Sequence, residues 1–295
     1  MAGTGARTAV IGASGFIGAA LTRELHRRQV ATSCFTRATP FVDDSGHLHR
    51  DVLGADTIFW LAGSTRPATV TDATHGSATA DHRELVKLLR GLGDGGAGGR
   101  RRVVAVSSGG TVYDSNSPSP HREDAPLAPP NEYGKTMRAL ESLLTTGSSD
   151  YAILRVSSAY GPGQRARLGQ GVLAYWLEAA ESGRPIHILG RDDVARDYVY
   201  IDDVTAALVS VHQADRPPAV VNIGSGVPTT LRELVDVVKA TIAPRRAEVT
   251  RGPARSFDAP STWLDISLAA AALDWKPRYD LRAGLRRTWQ QRHPT

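Results

Sequence analysis

Three glycines at regular spacing, Gly12, Gly15 and Gly18, stand where an apolar run, Thr8–Ile11, gives way to a helical stretch, Phe16–Arg28. Glycine lets a backbone turn tightly and approach a ligand, while a helix N-terminus offers free N–H groups and positive potential. The turn therefore reads as a pyrophosphate seat, with Gly12, Gly15, Phe16, Ile17 and Gly18 against a dinucleotide. Its spacing is G-x-x-G-x-x-G rather than the general G-x-G-x-x-G. The next strand ends Cys34-Phe35-Thr36-Arg37, without the acid that holds ribose hydroxyls in NAD-specific sites. A guanidinium at Arg37 suits a 2′-phosphate, so Thr36 and Arg37 favour NADP, with NAD as the alternative.

Other chemistries find little support. His47 and His49 lie two residues apart with no partners at metal-ligand spacing, so no metal site is expected. No serine sits centrally between glycines as a nucleophile elbow requires. Cys34 is the only cysteine, which excludes a disulfide framework and a cysteine zinc site and suits a reducing cytoplasm. The net charge of +5 is mostly arginine, since the lysines are only Lys87, Lys135, Lys239 and Lys276. These arginines are scattered, the longest run being Arg100-Arg101-Arg102, so the expected partners are anionic small molecules and not nucleic acid. No apolar run approaches the ~20 residues of a membrane span, and no charged-then-apolar leader opens the chain. A soluble cytoplasmic protein is expected.

The elements that must position these residues alternate in type. Strands are expected at Thr8–Ile11, Val30–Phe35, Thr57–Leu61, Val103–Val106 and Tyr151–Val156. Helices are expected at Phe16–Arg28, His82–Leu92 and Tyr133–Thr145. Such alternation predicts an α/β protein with a parallel, doubly wound Rossmann sheet. Asp94–Gly99 and Ser115–Pro130 read as loops, the second lying over one edge of the sheet. Beyond Gly161 the pattern is less regular, with helices at Gly171–Ser182, Asp202–His212 and Leu231–Thr241 and strands at Ile186–Leu189 and Val220–Ile223. The expected division is a dinucleotide domain over 1–160, regaining a strand and helix from about 191–223, and a smaller mixed α/β substrate part over 161–295.

The turn GASGFIG, the run SSGGTVYD, the segment EYGKT, and LRVSSAYGPGQ followed by RDYVYIDDV occur in that order. Together they resemble the extended short-chain dehydrogenase/reductase family, in its nucleotide-sugar epimerase/dehydratase branch, from Thr8 to about Tyr279. The resemblance implies that Tyr133 is the catalytic tyrosine. In that family a lysine one helical turn later bonds the nicotinamide ribose and lowers the phenol pKa from about 10. Here that position is Met137, and Lys135 lies roughly 200° round the helix from Tyr133. The position that usually carries a catalytic hydroxyl is Gly109; Thr111 is the first replacement expected and Ser108 the second.

The resemblance also assigns binding roles. Ser107 lies with the cofactor, Asp51 and Val52 meet adenine, and Leu61, Ala62 and Gly63 flank the phosphates and ribose. Val156 supplies a backbone contact to the carboxamide, and Ser158 replaces an asparagine that often binds substrate. Arg196 and Arg255 clamp the diphosphate of a nucleotide sugar. Gly224-Ser225-Gly226 resembles a turn of the substrate part. The family implies a homodimer through two helices of each subunit. The expected activity is NAD(P)-dependent ketoreduction of a nucleotide-linked (deoxy)sugar or related keto compound. The alternatives are a 4-epimerase with tightly held NAD, and a dinucleotide-binding protein whose catalysis Met137 impairs.

Overall fold

The computed structural model describes residues 6–63, 72–93, 101–148, 150–166, 171–252 and 261–293. The chain opens with strand β1 (Arg7–Ile11), helix α1 (Phe16–Arg27), strand β2 (Ala31–Phe35), the short helix α2 (Arg50–Leu53) and strand β3 (Thr57–Trp60). Helix α3 (Asp72–Leu92), strand β4 (Arg102–Ser108), helix α4 (Glu132–Gly147) and strand β5 (Tyr151–Val156) follow. Next come β6 (Ser158–Tyr160), α5 (Val172–Glu181), β7 (Ile186–Leu189), β8 (Ala195–Tyr200), α6 (Ile201–Gln213) and β9 (Val220–Ile223). The rest is β10 (Pro228–Thr230), α7 (Leu231–Ile242), β11 (Val249–Gly252), α8 (Ser267–Leu273) and α9 (Leu281–Arg292).

Six parallel strands make the central sheet, in the order β2-β1-β3-β4-β5-β9. Its inner strands are apolar throughout because both faces are covered. Val10, Phe59, Val104 and Leu154 point to one face, against Leu21 and Leu25 of α1 and Leu208 of α6. Their neighbours Ile11, Ile58, Val103 and Ile153 point to the other, against Leu85 and Leu88 of α3 and Leu140 and Leu144 of α4. The period-two alternation of strands thus divides one apolar sequence between two cores. Smaller sheets, β10-β8-β6 and β11-β7, belong to the later part of the chain.

The structure refines several expectations. Helix α3 begins ten residues before the expected His82, through a Thr-, Ala- and Ser-rich stretch that carries no apolar stripe. Arg102, from the longest arginine run, is buried at the start of β4 and clamps the lower edge of the sheet. It pairs with Asp150 at 3.1 Å and donates to the carbonyls of Val211, Ala214 and Asp215. The loop through Ser115–Pro130 is pinned at His121, which bridges Leu264 and is buried. Among the described residues no helix is long and apolar enough to cross a membrane, and no cluster of histidine, cysteine and acid side chains could hold a metal.

Candidate active site

Every parallel strand of the central sheet delivers its carboxyl end to one edge. The glycine turn leaves β1 there, Thr36 and Arg37 leave β2, Leu61 leaves β3, Ser107 and Ser108 close β4, and Val156 closes β5. A crevice at such an edge, where neighbouring strands send their crossovers to opposite faces, is where open α/β sheets take ligands.

The glycine turn is built for close approach. Gly12 has φ of +93°, and a Cβ there would stand 2.6 Å from the Ala62 amide nitrogen. A Cβ on Gly18 would stand 2.1 Å from the Gly12 carbonyl oxygen, so α1 can pack on the turn only through glycine. The Gly12 and Ala13 amides both donate to the Phe35 carbonyl, at 2.9 and 3.1 Å, and Leu61 donates to Ile11 at 2.8 Å. Gly15 is the N-cap of α1; no side chain caps the helix and no acid lies in its first turn. Uncapped N–H groups and the helix dipole fit a pyrophosphate. The Ser107 hydroxyl is buried with no partner among the described residues, which also suits a ligand.

After β2, the Thr36 hydroxyl accepts from the amides of Ala38 and Thr39 at 3.2 Å each and folds a tight turn. Arg37 in that turn is exposed and makes no ion pair among the described residues. Asp51 accepts from the Ser33 hydroxyl at 3.2 Å, tying α2 to β2, whereas Val52 is fully buried in the core. Ala62 and Leu61 are half-buried at the rim and Gly63 is exposed.

Helix α4 carries the expected tyrosine. Asn131 caps this helix, its side chain accepting from the Gly134 amide at 2.9 Å. Tyr133, Met137 and Glu141 follow at intervals of four along one face. Glu141 holds Arg155 of β5 through two bonds, at 3.0 and 2.8 Å. Arg155 also donates to the Tyr113 hydroxyl at 3.0 Å and to the Glu123 carbonyl at 2.9 Å, and Tyr113 donates to Asn222 at 2.6 Å. This buried polar lattice fixes the rotation of α4 and so aims Tyr133.

Met137 packs with Val112, Tyr113 and Leu264, with Tyr133 against the same cluster. Lys135 points away: its ammonium pairs with Glu132 at 2.6 Å on the surface. Burial therefore pushes the Tyr133 phenol above the usual tyrosine value, and the Ser108 hydroxyl beside it offsets only part of the rise. Ser108, the second of the two expected replacements, is thus the hydroxyl that meets the phenol. The Thr111 hydroxyl is buried without a partner among the described residues. The carbonyl of Val156 accepts from the Gly109 amide at 2.9 Å.

Of the residues expected to meet substrate, Ser158 is exposed at the start of β6. Arg196 is half-buried on β8 and donates to the Ala195 carbonyl at 2.8 Å. Arg255 lies outside the described residues. The neighbour of Arg196, Asp197, was not anticipated. It is buried and accepts from the Ser225 amide and hydroxyl at 2.7 Å each, from Gly226 at 3.2 Å and from Ser157 at 3.2 Å. The Gly224-Ser225-Gly226 turn wraps this carboxylate so closely that a Cβ on Gly224 would lie 2.3 Å from it. Burial raises the Asp197 pKa, and the hydrogen bonds from Ser225 and Gly226 pull it back. Two glycines round a serine were the only hint that an anion was being held there.

The chain is similar to known proteins. The chain matches the model of the NAD dependent epimerase/dehydratase family over residues 8–224. It is 32% identical over 191 residues to the dTDP-4-dehydro-6-deoxyglucose reductase of Escherichia coli; the match covers 63% of this chain and only 60% of that protein. It is 29% identical to the dTDP-6-deoxy-L-talose 4-dehydrogenase (NAD(P)(+)) of Kitasatospora kifunensis, over 96% of this chain and 95% of that one. The UDP-glucose 4-epimerase of Thermotoga maritima, solved with UDP-glucose, superposes with a TM-score of 0.83 at 25% identity, covering 96% of this chain and 97% of that one.

Proposed function

Since the chain belongs to the NAD-dependent epimerase/dehydratase family, we propose that it is a ketoreductase acting on a nucleotide-linked keto sugar. One observation carries this reading: the phenol of Tyr133 has an apolar methionine and a serine beside it and, among the described residues, no cation. A phenol held above its usual pKa stays protonated at neutral pH, so it can give a proton but is a poor base. Reduction needs only the donation. When bound, the reduced dinucleotide supplies hydride to the carbonyl carbon. The π electron pair of that carbonyl moves to oxygen, and the oxygen takes the Tyr133 proton, leaving a carbinol. Solvent then reprotonates Tyr133. An epimerase must also withdraw a proton from a carbinol in each cycle, which this phenol is poorly placed to do.

Arg37, exposed beside the Thr36 turn and with no carboxylate partner among the described residues, supports NADPH as the reductant. Ser107 and Thr111, with buried unpaired hydroxyls, are assigned to the cofactor and to the substrate oxygen. Arg196, and Arg255 on the resemblance alone, are assigned to the diphosphate. A homodimer through α3 and α4 is proposed from the open groove between them, which the half-buried Val86, Ala139 and Leu143 line. A second reading, a dinucleotide-binding protein without turnover, is favoured by Met137 and Gly109 together.

The test is a panel of nucleotide-linked 4-keto sugars offered with NADPH or NADH, followed by loss of reduced-nicotinamide absorbance. Oxidation with at least one acceptor, faster with NADPH, is expected. Tight dinucleotide binding with no oxidation by any acceptor would overturn the ketoreductase in favour of the second reading.

A further inference from the structure

Asp197 is 3% exposed, and five neutral donors meet its carboxylate with, among the described residues, no ion pair. A charge stripped of water is costly to hold, so a carboxylate sunk among hydroxyls and amides fixes the segments that supply them. Those segments come from separate parts of the fold. Ser157 directly follows Val156, the last residue of β5, while Ser225 and Gly226 lie just past Ile223, the last residue of β9. Asp197 itself belongs to β8 of a smaller sheet. One side chain therefore pins that sheet to the carboxyl edge of the central one.

The pin also sets what stands beside it. Ser158 of β6 pairs with Tyr198 of β8 in parallel, and the Ser157 hydroxyl reaches Asp197 at 3.2 Å. Counting back along that register puts Arg196 level with Val156, at the end of β5. Successive strand residues point to opposite faces, so the carboxylate faces its donors and Arg196, half-buried, turns away from them. Further bonds steady the start of β8. The Ala195 amide donates to the Ser261 hydroxyl at 2.9 Å, the Thr262 amide to the Ala195 carbonyl at 3.1 Å, and the Leu264 amide to Asp197 at 3.4 Å.

We propose that Asp197 is the positioning residue for Arg196. By fixing β8 against the ends of β5 and β9, it sets where the guanidinium meets a ligand and gives the site its preference for a diphosphate over a monophosphate. This rests on the assignment of Arg196 to the diphosphate of a nucleotide-linked substrate. A guanidinium holds phosphate best through two parallel bonds of strict geometry. A small shift of the strand that carries it therefore weakens that contact and leaves contacts to the nucleoside in place. Gly224 belongs to the same device, because a Cβ there would stand 2.3 Å from a carboxylate oxygen of Asp197.

Binding tests this without turnover. The NADP+-loaded protein is titrated calorimetrically with UDP, UMP, dTDP and dTMP. At least one diphosphate should bind about tenfold or more tightly than its monophosphate, as a charged hydrogen bond allows. Asp197→Asn, which sets a donor among donors, and Gly224→Ala, which pushes the carboxylate aside, should each bring that ratio to within about threefold. Ser225→Ala, which removes one donor and spares the core, should lower it in the same direction. Melting curves identify any variant that fails to fold. Adding Gly224→Ala to Arg196→Ala should leave the ratio where Arg196→Ala alone puts it, since a residue that acts through another is not additive with it. A ratio that every folded variant leaves unmoved, or losses that add in the double variant, would overturn the positioning role and spare the assignment of Arg196. Diphosphates that bind no better than monophosphates to the unaltered protein would overturn that assignment, and this inference with it.

Discussion

In the proposed ketoreductase, Tyr133 gives the proton and Arg37 selects the cofactor. Because burial raises the Tyr133 pKa, the acid form persists below that raised value and is lost only as pH climbs through it. The rate of reduction should therefore stay level from about pH 6 to about pH 9 and fall only in more alkaline solution. Met137→Lys places an ammonium beside the phenol and should bring the falling limb down by about one pH unit or more. A wild-type profile that already falls near neutrality would contradict this. At the other end of the cofactor, Arg37→Ala should lower the preference for NADPH over NADH by about tenfold or more, read as a ratio of kcat/KM, because a charged hydrogen bond contributes about 1.5–3 kcal/mol. An unchanged ratio would remove Arg37 from cofactor selection. The strand-turn-helix around the glycines and the helix that carries Tyr133 were legible in the sequence because their signals lie within a few residues of one another. Leu264 and Asp197 were not, because their partners lie far away in the chain: Gly109 and Met137 for the first, Ser225 and Leu264 for the second.

Helix α4 owes its setting to an ion pair and not to propensity. Glu141 and Arg155 are both buried, and their two bonds lock the face that carries Tyr133. Breaking a buried pair by removing one partner leaves an uncompensated charge and costs about 3–5 kcal/mol. Glu141→Leu should lower unfolding free energy by about that amount in denaturant titration, with a larger loss of kcat than of cofactor affinity. A change below about 1 kcal/mol would mean that Arg155 is satisfied by Tyr113 and the Glu123 carbonyl alone. Elements of the parallel sheet were readable as apolar runs of four to seven residues. Strand β8, Ala195–Tyr200, was not, since Arg196 and Asp197 interrupt its apolar pattern and are satisfied only by the tertiary fold. Helices α8 and α9 escaped for similar reasons: one is seven residues of mostly alanine, and the other is rich in arginine with few apolar anchors.

The whole molecule turns a strand order into a site. Placing β1 beside both β2 and β3, and β4 and β5 beyond, brings five strand ends to one edge although their residues span Gly12 to Val156. Alternation of strands and helices foretold a doubly wound sheet, but the position of β9 beside β5 comes from pairing that no local pattern encodes. The smaller sheets then place Asp197 on β8, where its carboxylate holds the Ser225 and Leu264 amides. The central claim is that the assembled site consumes its cofactor in one direction, with Tyr133 as proton donor. The most direct measurement is stoichiometry with deuterium-labelled NADPH and a nucleotide-linked 4-keto sugar, product and oxidised cofactor being counted together. One cofactor oxidised per carbinol formed, with the label at the former carbonyl carbon and activity lost in Tyr133→Phe, is the predicted result. Product formed without net loss of reduced cofactor, or with no label, would contradict it.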